Sequence, residues 1–176
     1  MATAEELIAF LKLQPHPREG GFFRETYRST EIIAPGGMPA HYPSGRAQGT
    51  AIYYLLTARS FSALHRLASD EIFHFYLGDP VCMLQLHADG KGQTIVLGPD
   101  VMAGQRVQVV VPRGVWQGSI LEPGGQFALL GCTVAPGFEY ADYEEAKRHE
   151  LHRSHPQFAD LITKLTPAPS KRGQDP

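Results

Sequence analysis

Two stretches of the chain bring together residue types that do chemistry. The first, SALHRLASDEIFHFYLGD at residues 62–79, holds His65, then Glu71 six residues later, then Gly78 seven residues after that. A histidine ending one strand and a carboxylate starting the next, across a short turn, can converge in the mouth of a barrel. The second, GQRVQVVVPRGVWQGS at 104–119, turns at Pro112-Arg113-Gly114 and places Gln117 on the strand that follows. An imidazole beside a carboxylate supplies a base poised near neutral pH, so His65 and Glu71 are the candidate catalytic pair. The same two side chains, with the amide oxygen of Gln117, are the donors these stretches offer a divalent metal. Taken singly, each also fits a plain hydrogen-bonded residue on a barrel rim.

Four aromatic or basic positions extend the candidate site toward a ligand. Arg24 and Tyr27 lie in the strand-like run FFRETY, where the arginine either pairs with Glu25 or another acid outside or reaches an anionic ligand inside. Tyr53 and Tyr54 alternate, so one of them faces the interior and can stack on a ring; Phe75 and Phe73 can do the same or pack the core. Period-two alternation from Glu71 sends Phe73, Phe75 and Leu77 inward and Ile72, His74 and Tyr76 outward, unless a bulge intervenes. From Gln117 it sends Val115 and Ser119 inward and Trp116 outward beside Ile120. An outward tryptophan needs a cover, and a second copy of the chain is the simple one.

Other reactive types carry less. His149, His152 and His155 recur every three residues, but Ser154 and Pro156 signal a helix break there, which makes them solvated histidines around a turn. His16, His41 and His87 fall in loops or at a strand end without a specific signal. Cys82 and Cys132 sit in apolar strand-like segments and read as reduced core cysteines; two are too few for a disulfide framework. No P-loop, dinucleotide-binding glycine motif, Gly-x-Ser-x-Gly or Cys-x-x-Cys is present.

The elements that must position these residues are mostly strands. The 176 residues are 43% hydrophobic and 19% charged, with 18 glycines and 14 prolines spread along the chain. That composition suits short strands joined by tight turns around one core. A helix is expected over 3–13, capped by Thr3 and Glu6 and with Leu7, Ile8, Phe10 and Leu11 on one face. Nine strands are expected within a barrel of about 20–135: Phe22–Tyr27, Thr50–Thr57, Phe61–His65, Ile72–Leu77, Val81–His87, Thr94–Leu97, Gln105–Val111, Val115–Leu121 and Phe127–Val134. The loop Ala34–Gln48 is a candidate lid or contact segment. A helical segment over about 140–166 follows, with helices at Asp142–Arg148 and Pro156–Leu165, completing one domain over 1–166 before a disordered tail at 167–176. A net charge of −2 gives no footprint for nucleic acid. The absence of a membrane-length apolar run and of signal-peptide order leads to an expected cytoplasmic location without membrane partners.

The spacing of His65, Glu71 and Gly78, with Pro112, Gly114 and Gln117, resembles the two motifs of the cupin superfamily. The runs EGGFFRETYRS, TAIYYLL, HRLASDEIFHFYLGDP, VVPRGVWQGS and GCTVAPGFEYADYE are similar to those of its uncharacterised branch called cupin 5, over roughly residues 4–166. The resemblance implies an all-β jelly-roll barrel with short flanking helices at both ends, and a homodimer. It also implies a metal site of three imidazoles and one carboxylate, but Leu67 and Gln117 stand where two of those imidazoles belong. That leaves no cofactor, or a weakly bound divalent metal on His65, Glu71 and Gln117. The expected function is binding of a polar small molecule in the barrel, with metal-independent isomerase or epimerase chemistry at His65 and Glu71. A metal-dependent oxygenase with a depleted ligand set and a non-catalytic binding protein are the alternatives.

Overall fold

The computed structural model describes residues 2–167. Thirteen strands form: β1 Gln14–Pro15, β2 Phe22–Arg28, β3 Ile32–Ile33, β4 Arg46–Ala47, β5 Thr50–Thr57, β6 Phe61–Arg66, β7 Asp70–Gly78, β8 Val81–Leu86, β9 Gly92–Leu97, β10 Gln108–Val111, β11 Trp116–Leu121, β12 Phe127–Ala135 and β13 Glu144–Glu145. The nine expected strands are all among them, and the other four are two-residue strands. Two antiparallel sheets face each other, one in the order β1-β2-β5-β12-β7-β10 and the other β13-β6-β11-β8-β9. This is an all-β jelly roll. Its core lies between the sheets: Tyr54, Leu56, Phe73, Leu130 and Val109 from the first meet Val81, Met83, Ile95 and Leu97 from the second.

Each outer face is covered in part by one end of the chain. Helix α1, Ala4–Phe10, carries the expected capping box between Thr3 and Glu6. It lays Leu7, Ile8 and Leu11 on Leu55 and Leu129. Phe10, expected on that stripe, is instead 82% exposed, because the helix ends there and Lys12 takes a positive φ that turns the chain away. At the other end α2 (Arg148–Ser154) and α3 (Ala159–Lys164) place Leu151, Ile162 and Leu165 on Leu64, Leu84, Leu86, Trp116 and Ile120. Trp116 does face outward, but its cover is this chain's own C-terminal segment, and Arg66 lies over its ring. The ground for a second copy at that face is gone.

Two further expectations are corrected. The helix expected at Asp142–Arg148 is a 3-10 turn at Tyr140–Asp142 followed by β13, whose Glu144 and Glu145 pair with Arg66 and His65 on β6. His155 is buried, not solvated, and its Nε2 bonds the His87 carbonyl at 2.9 Å. The 34–48 loop is fastened to the body: Arg46, 1% exposed, is paired with buried Asp142, and the Tyr42 hydroxyl bonds Ser69 and the Ala68 carbonyl. Cys82 and Cys132 are free thiols. The expected tail lies, from residue 168 on, outside the described residues.

Candidate functional site

His65 is the last residue but one of β6, a short connection through Leu67–Ser69 leads to β7, and Glu71 points inward near its start. Gln117 on β11 stands directly opposite His65 in the strand register. A bulge in β6 opposite Gly118 shifts that register, which holds Ser62 and His65 on the same inner face. Imidazole Nδ1 lies 2.8 Å from the Ala63 carbonyl. A carbonyl only accepts, so Nδ1 carries the proton and Nε2 is left as an acceptor. The Gln117 amide donates one hydrogen to that Nε2 at 2.7 Å and the other to Glu71 Oε2 at 3.1 Å. His65 and Glu71 are therefore joined through Gln117 and not directly. The Tyr143 ring stacks on His65, centroids 4.9 Å apart, and closes the imidazole from above. Gln117 Oε1 and the Tyr143 hydroxyl are buried without a partner.

Two residues that the sequence motifs do not mark complete the cluster. Glu19 sits just before the Gly20-Gly21 doublet, and its Oε1 lies 3.6 Å from Nε2 of both His16 and His65. The doublet is the signal that could have found it. Both glycines have positive φ, and a Cβ would stand 2.6 Å from the Phe61 carbonyl oxygen at Gly20 and 2.8 Å from that of Leu55 at Gly21. Only glycine lets the chain pass this close to β5 and β6 and deliver Glu19 to the mouth. His16 is oriented by its neighbours: Nδ1 accepts the Glu19 backbone N–H at 2.9 Å, which turns Nε2 toward the carboxylate.

Burial governs the electrostatics. Glu71 is 7% exposed, and desolvation, then the negative charge of Glu19, push its carboxyl up to about 8, against the hydrogen bonds from Cys132 and Gln117. At neutral pH this carboxyl holds its proton. Burial and the adjacent Glu71 carry the Cys132 thiol well above its ordinary value, so it is not a ready nucleophile. Burial lowers His16 despite Glu19 beside it.

A cavity of about 150 Å³ opens onto this cluster. Glu71, Leu67, Cys132 and Val134 line its inner part, with Ile52 and Thr50 of β5. His16, Glu19, Phe23, Glu25 and Arg28 form one side, and Phe138, Glu139 and Tyr140 the other. His65 and Gln117 are buried behind that lining.

Of the expected ligand contacts, Arg24, Tyr27 and Tyr53 do not reach the cavity. Arg24 pairs in register with Tyr53 on the outer face of the sheet, its guanidinium 5.5 Å from the Tyr53 ring centre. A bulge between Glu25 and Tyr27 breaks the alternation of β2. It leaves Tyr27 outside and turns Arg28 inward, beside Glu25, which plain alternation from Phe23 already points to the cavity. A second bulge, between Leu129 and Leu130 of β12, leaves Tyr76 of β7 unpaired. Phe75 is half-buried against the core, Leu77 is exposed, and His74 faces outward beside Gln108 and Thr133.

The donor set does not fit a divalent metal. The space between His65 Nε2 and Glu71 Oε2 is filled by the amide hydrogens of Gln117, which repel a cation, and buried Leu67 offers no ligand. Among the described residues no three His, Cys, Asp or Glu side chains converge as a metal-holding group. None of their helices is long and apolar enough to cross a membrane.

A jelly roll whose two motif stretches bring His65, Glu71 and Gln117 together in one buried polar cluster defines a barrel of the cupin class. The chain matches the family model described as Cupin superfamily (DUF985) over residues 5–146 and belongs to that family. It is 33% identical over 150 residues to the uncharacterized protein YML079W of Saccharomyces cerevisiae, covering 81% of this chain and 74% of that one. Among solved structures it is similar to protein SO0799 from Shewanella oneidensis (TM-score 0.81, 36% identity, 95% of this chain and 99% of that one). A hypothetical protein from Leishmania major is similar at TM-score 0.84 and 32% identity, over 95% and 100% of the two chains. Oxalate decarboxylase from Bacillus subtilis shares the fold alone, at TM-score 0.51 and 11% identity over 95% of this chain and 44% of that one.

Proposed function

We propose that the cavity binds a compact polar small molecule and that Glu71 moves a proton on it without a metal, as an isomerase or epimerase does. The observation that carries this is the buried, cavity-lining carboxyl of Glu71 held in place by Gln117, which desolvation pushes up to about 8. A carboxyl poised near neutral pH is the group general acid–base catalysis asks for. On a carbonyl compound, Glu19 takes the proton from the carbon beside the carbonyl while Glu71 gives its own to the carbonyl oxygen. A proton then returns to carbon, from either face or at the neighbouring carbon, as a hydroxyl of the enediol gives its proton back to Glu71, so there is no net change in hydrogen. His65 acts through Gln117 as a positioning residue.

The test is deuterium incorporation from D₂O into small hydroxy- and amino-carbonyl compounds, followed by proton NMR. Exchange is expected with the native chain and about a hundredfold slower with Glu71→Gln. Exchange absent on every compound, or equal in the variant, leaves a binding protein and removes the catalytic role.

For the homodimer we propose the outer face of the six-stranded sheet, where Tyr27, Tyr76, Leu77 and Val110 are exposed. Sedimentation equilibrium, with Tyr76→Lys expected to shift the chain to monomer, tests it.

A further inference from the structure

The cavity's charge says which ligands it selects. Four carboxyl groups line it, from Glu19, Glu25, Glu71 and Glu139, against the single guanidinium of Arg28. Arg28 has four of its five N–H hydrogens engaged, on two carboxylates and a carbonyl. Its Nε and Nη2 donate to the two oxygens of Glu25 at 3.1 and 2.9 Å, Nη1 to Glu139 at 2.8 Å, and Nη2 also to the Phe138 carbonyl at 3.1 Å. Arg18, the other cation near the mouth, is exposed and lies against the rings of Tyr140 and Tyr143. Two carboxyls remain open. Glu19 Oε1 is flanked by the two histidines at 3.6 Å, beyond hydrogen-bond reach, and Oε2 has only the Ser62 hydroxyl at 3.5 Å. Glu71, more than nine-tenths buried, has one oxygen on Gln117 and only the Cys132 thiol near the rest of its carboxyl. Phe23, Phe138 and Tyr140 add aromatic faces to the same wall.

Taking the cavity as the binding site, as the function above does, we propose that it is specific for a small ligand bearing a protonated amine, held between Glu19 and Glu71 with its apolar part against the aromatic wall. Carboxylates supply the ion pair, and aromatic faces attract the same cation through their quadrupoles. A volume with room for about ten waters sets the ligand at roughly that number of heavy atoms. An anion would meet open carboxylates on one side and, on the other, an arginine already paired with two carboxylates.

Binding carries its own proton signature. The groups facing Glu71 are Glu19 from the segment before β2, Cys132 from β12, and Gln117 from β11 with His65 behind it. A bound ammonium favours the ionised carboxylate, so an amine without a carbonyl sends the Glu71 proton to solvent as it enters, whereas a carbonyl-bearing ligand takes that proton on its oxygen. Affinity then rises with pH up to about 8.

The experiment compares benzylamine, benzyl alcohol and benzoate, which share a shape and differ in charge, by calorimetry at constant ionic strength. Benzylamine is expected to bind at least about tenfold more tightly than either, and to release a proton at pH 7 when titrated in two buffers of different ionisation enthalpy. Glu19→Gln should lower its affinity about tenfold. Glu139→Gln, at a half-exposed rim position, should lower it less and serves if the first variant does not fold. Benzoate or benzyl alcohol binding as tightly as benzylamine overturns the proposal. So does the absence of benzylamine binding at millimolar concentration, or unchanged affinity in both variants. Selective benzylamine binding with no deuterium exchange on any carbonyl compound defeats the catalytic function and leaves this one standing. Exchange without amine selectivity does the reverse.

Discussion

Gln117 stands opposite His65 across β11 and β6, and its amide nitrogen lies 2.7 Å from the imidazole Nε2. In that place the wider superfamily's motif has a third imidazole, so a group that would accept a metal is exchanged here for one that donates hydrogen bonds.

The exchange leads to a prediction about metal. Untagged native protein soaked in Zn²⁺ or Mn²⁺ and desalted should carry well below one equivalent by elemental analysis. Gln117→His replaces the two amide hydrogens with a nitrogen lone pair beside His65 and Glu71, and should bind Zn²⁺ measurably. Stoichiometric metal in the native chain would contradict the donor assignment.

Stability should depend on Glu71 in a defined pH window. Its carboxyl titrates near 4.5 when unfolded and at about 8 when folded. Between those values unfolding releases a proton, so the group's contribution falls as pH rises and levels off above 8. The full span corresponds to a few kcal/mol. Urea midpoints should decline from pH 5 to pH 8 in the native chain and stay flatter in Glu71→Gln, with the variant equal or more stable at pH 8.

Arg46 and Asp142 form a buried ion pair that fastens the 34–48 loop to the turn before β13, with side chains 1% and 3% exposed. Breaking one half strands the other charge in the interior. Asp142→Asn should cost about 3–5 kcal/mol, read from chemical denaturation. The exposed pair Arg66–Glu144 should cost under about 1 kcal/mol when Glu144 is changed to Gln.

Ile162, on α3, is fully buried in the cluster against which Trp116 packs. Ile162→Ala should destabilise by about 2–5 kcal/mol. Trp116 is the only tryptophan, so its emission should shift to the red as the C-terminal segment loosens. An unchanged spectrum would show that the segment does not cover it.

The strands, their inward and outward faces near the site, and the convergence of His65, Glu71 and Gln117 were legible in the sequence. Alternation is a local property of extended chain, and each of these residues lies close to a turn that sets its phase. Glu71 and Phe73 point in, and His74 and Trp116 point out, for that reason alone. The parity of β2 was not legible. Its bulge arises from pairing with β5, more than twenty residues away, and it is the bulge that puts Arg28, not Tyr27, at the cavity beside Glu25. Nor was Glu19 legible as a site residue: its carboxylate meets His65 only because the Gly20-Gly21 turn packs against strands whose positions are set elsewhere. Nor could spacing show that the C-terminal helices cover Trp116, or that Gln117 joins His65 to Glu71. What the sequence determined was what repeats along a strand. Which groups touch across the barrel was decided by pairing between distant segments, where one extra residue in one strand turns every side chain after it to the other face.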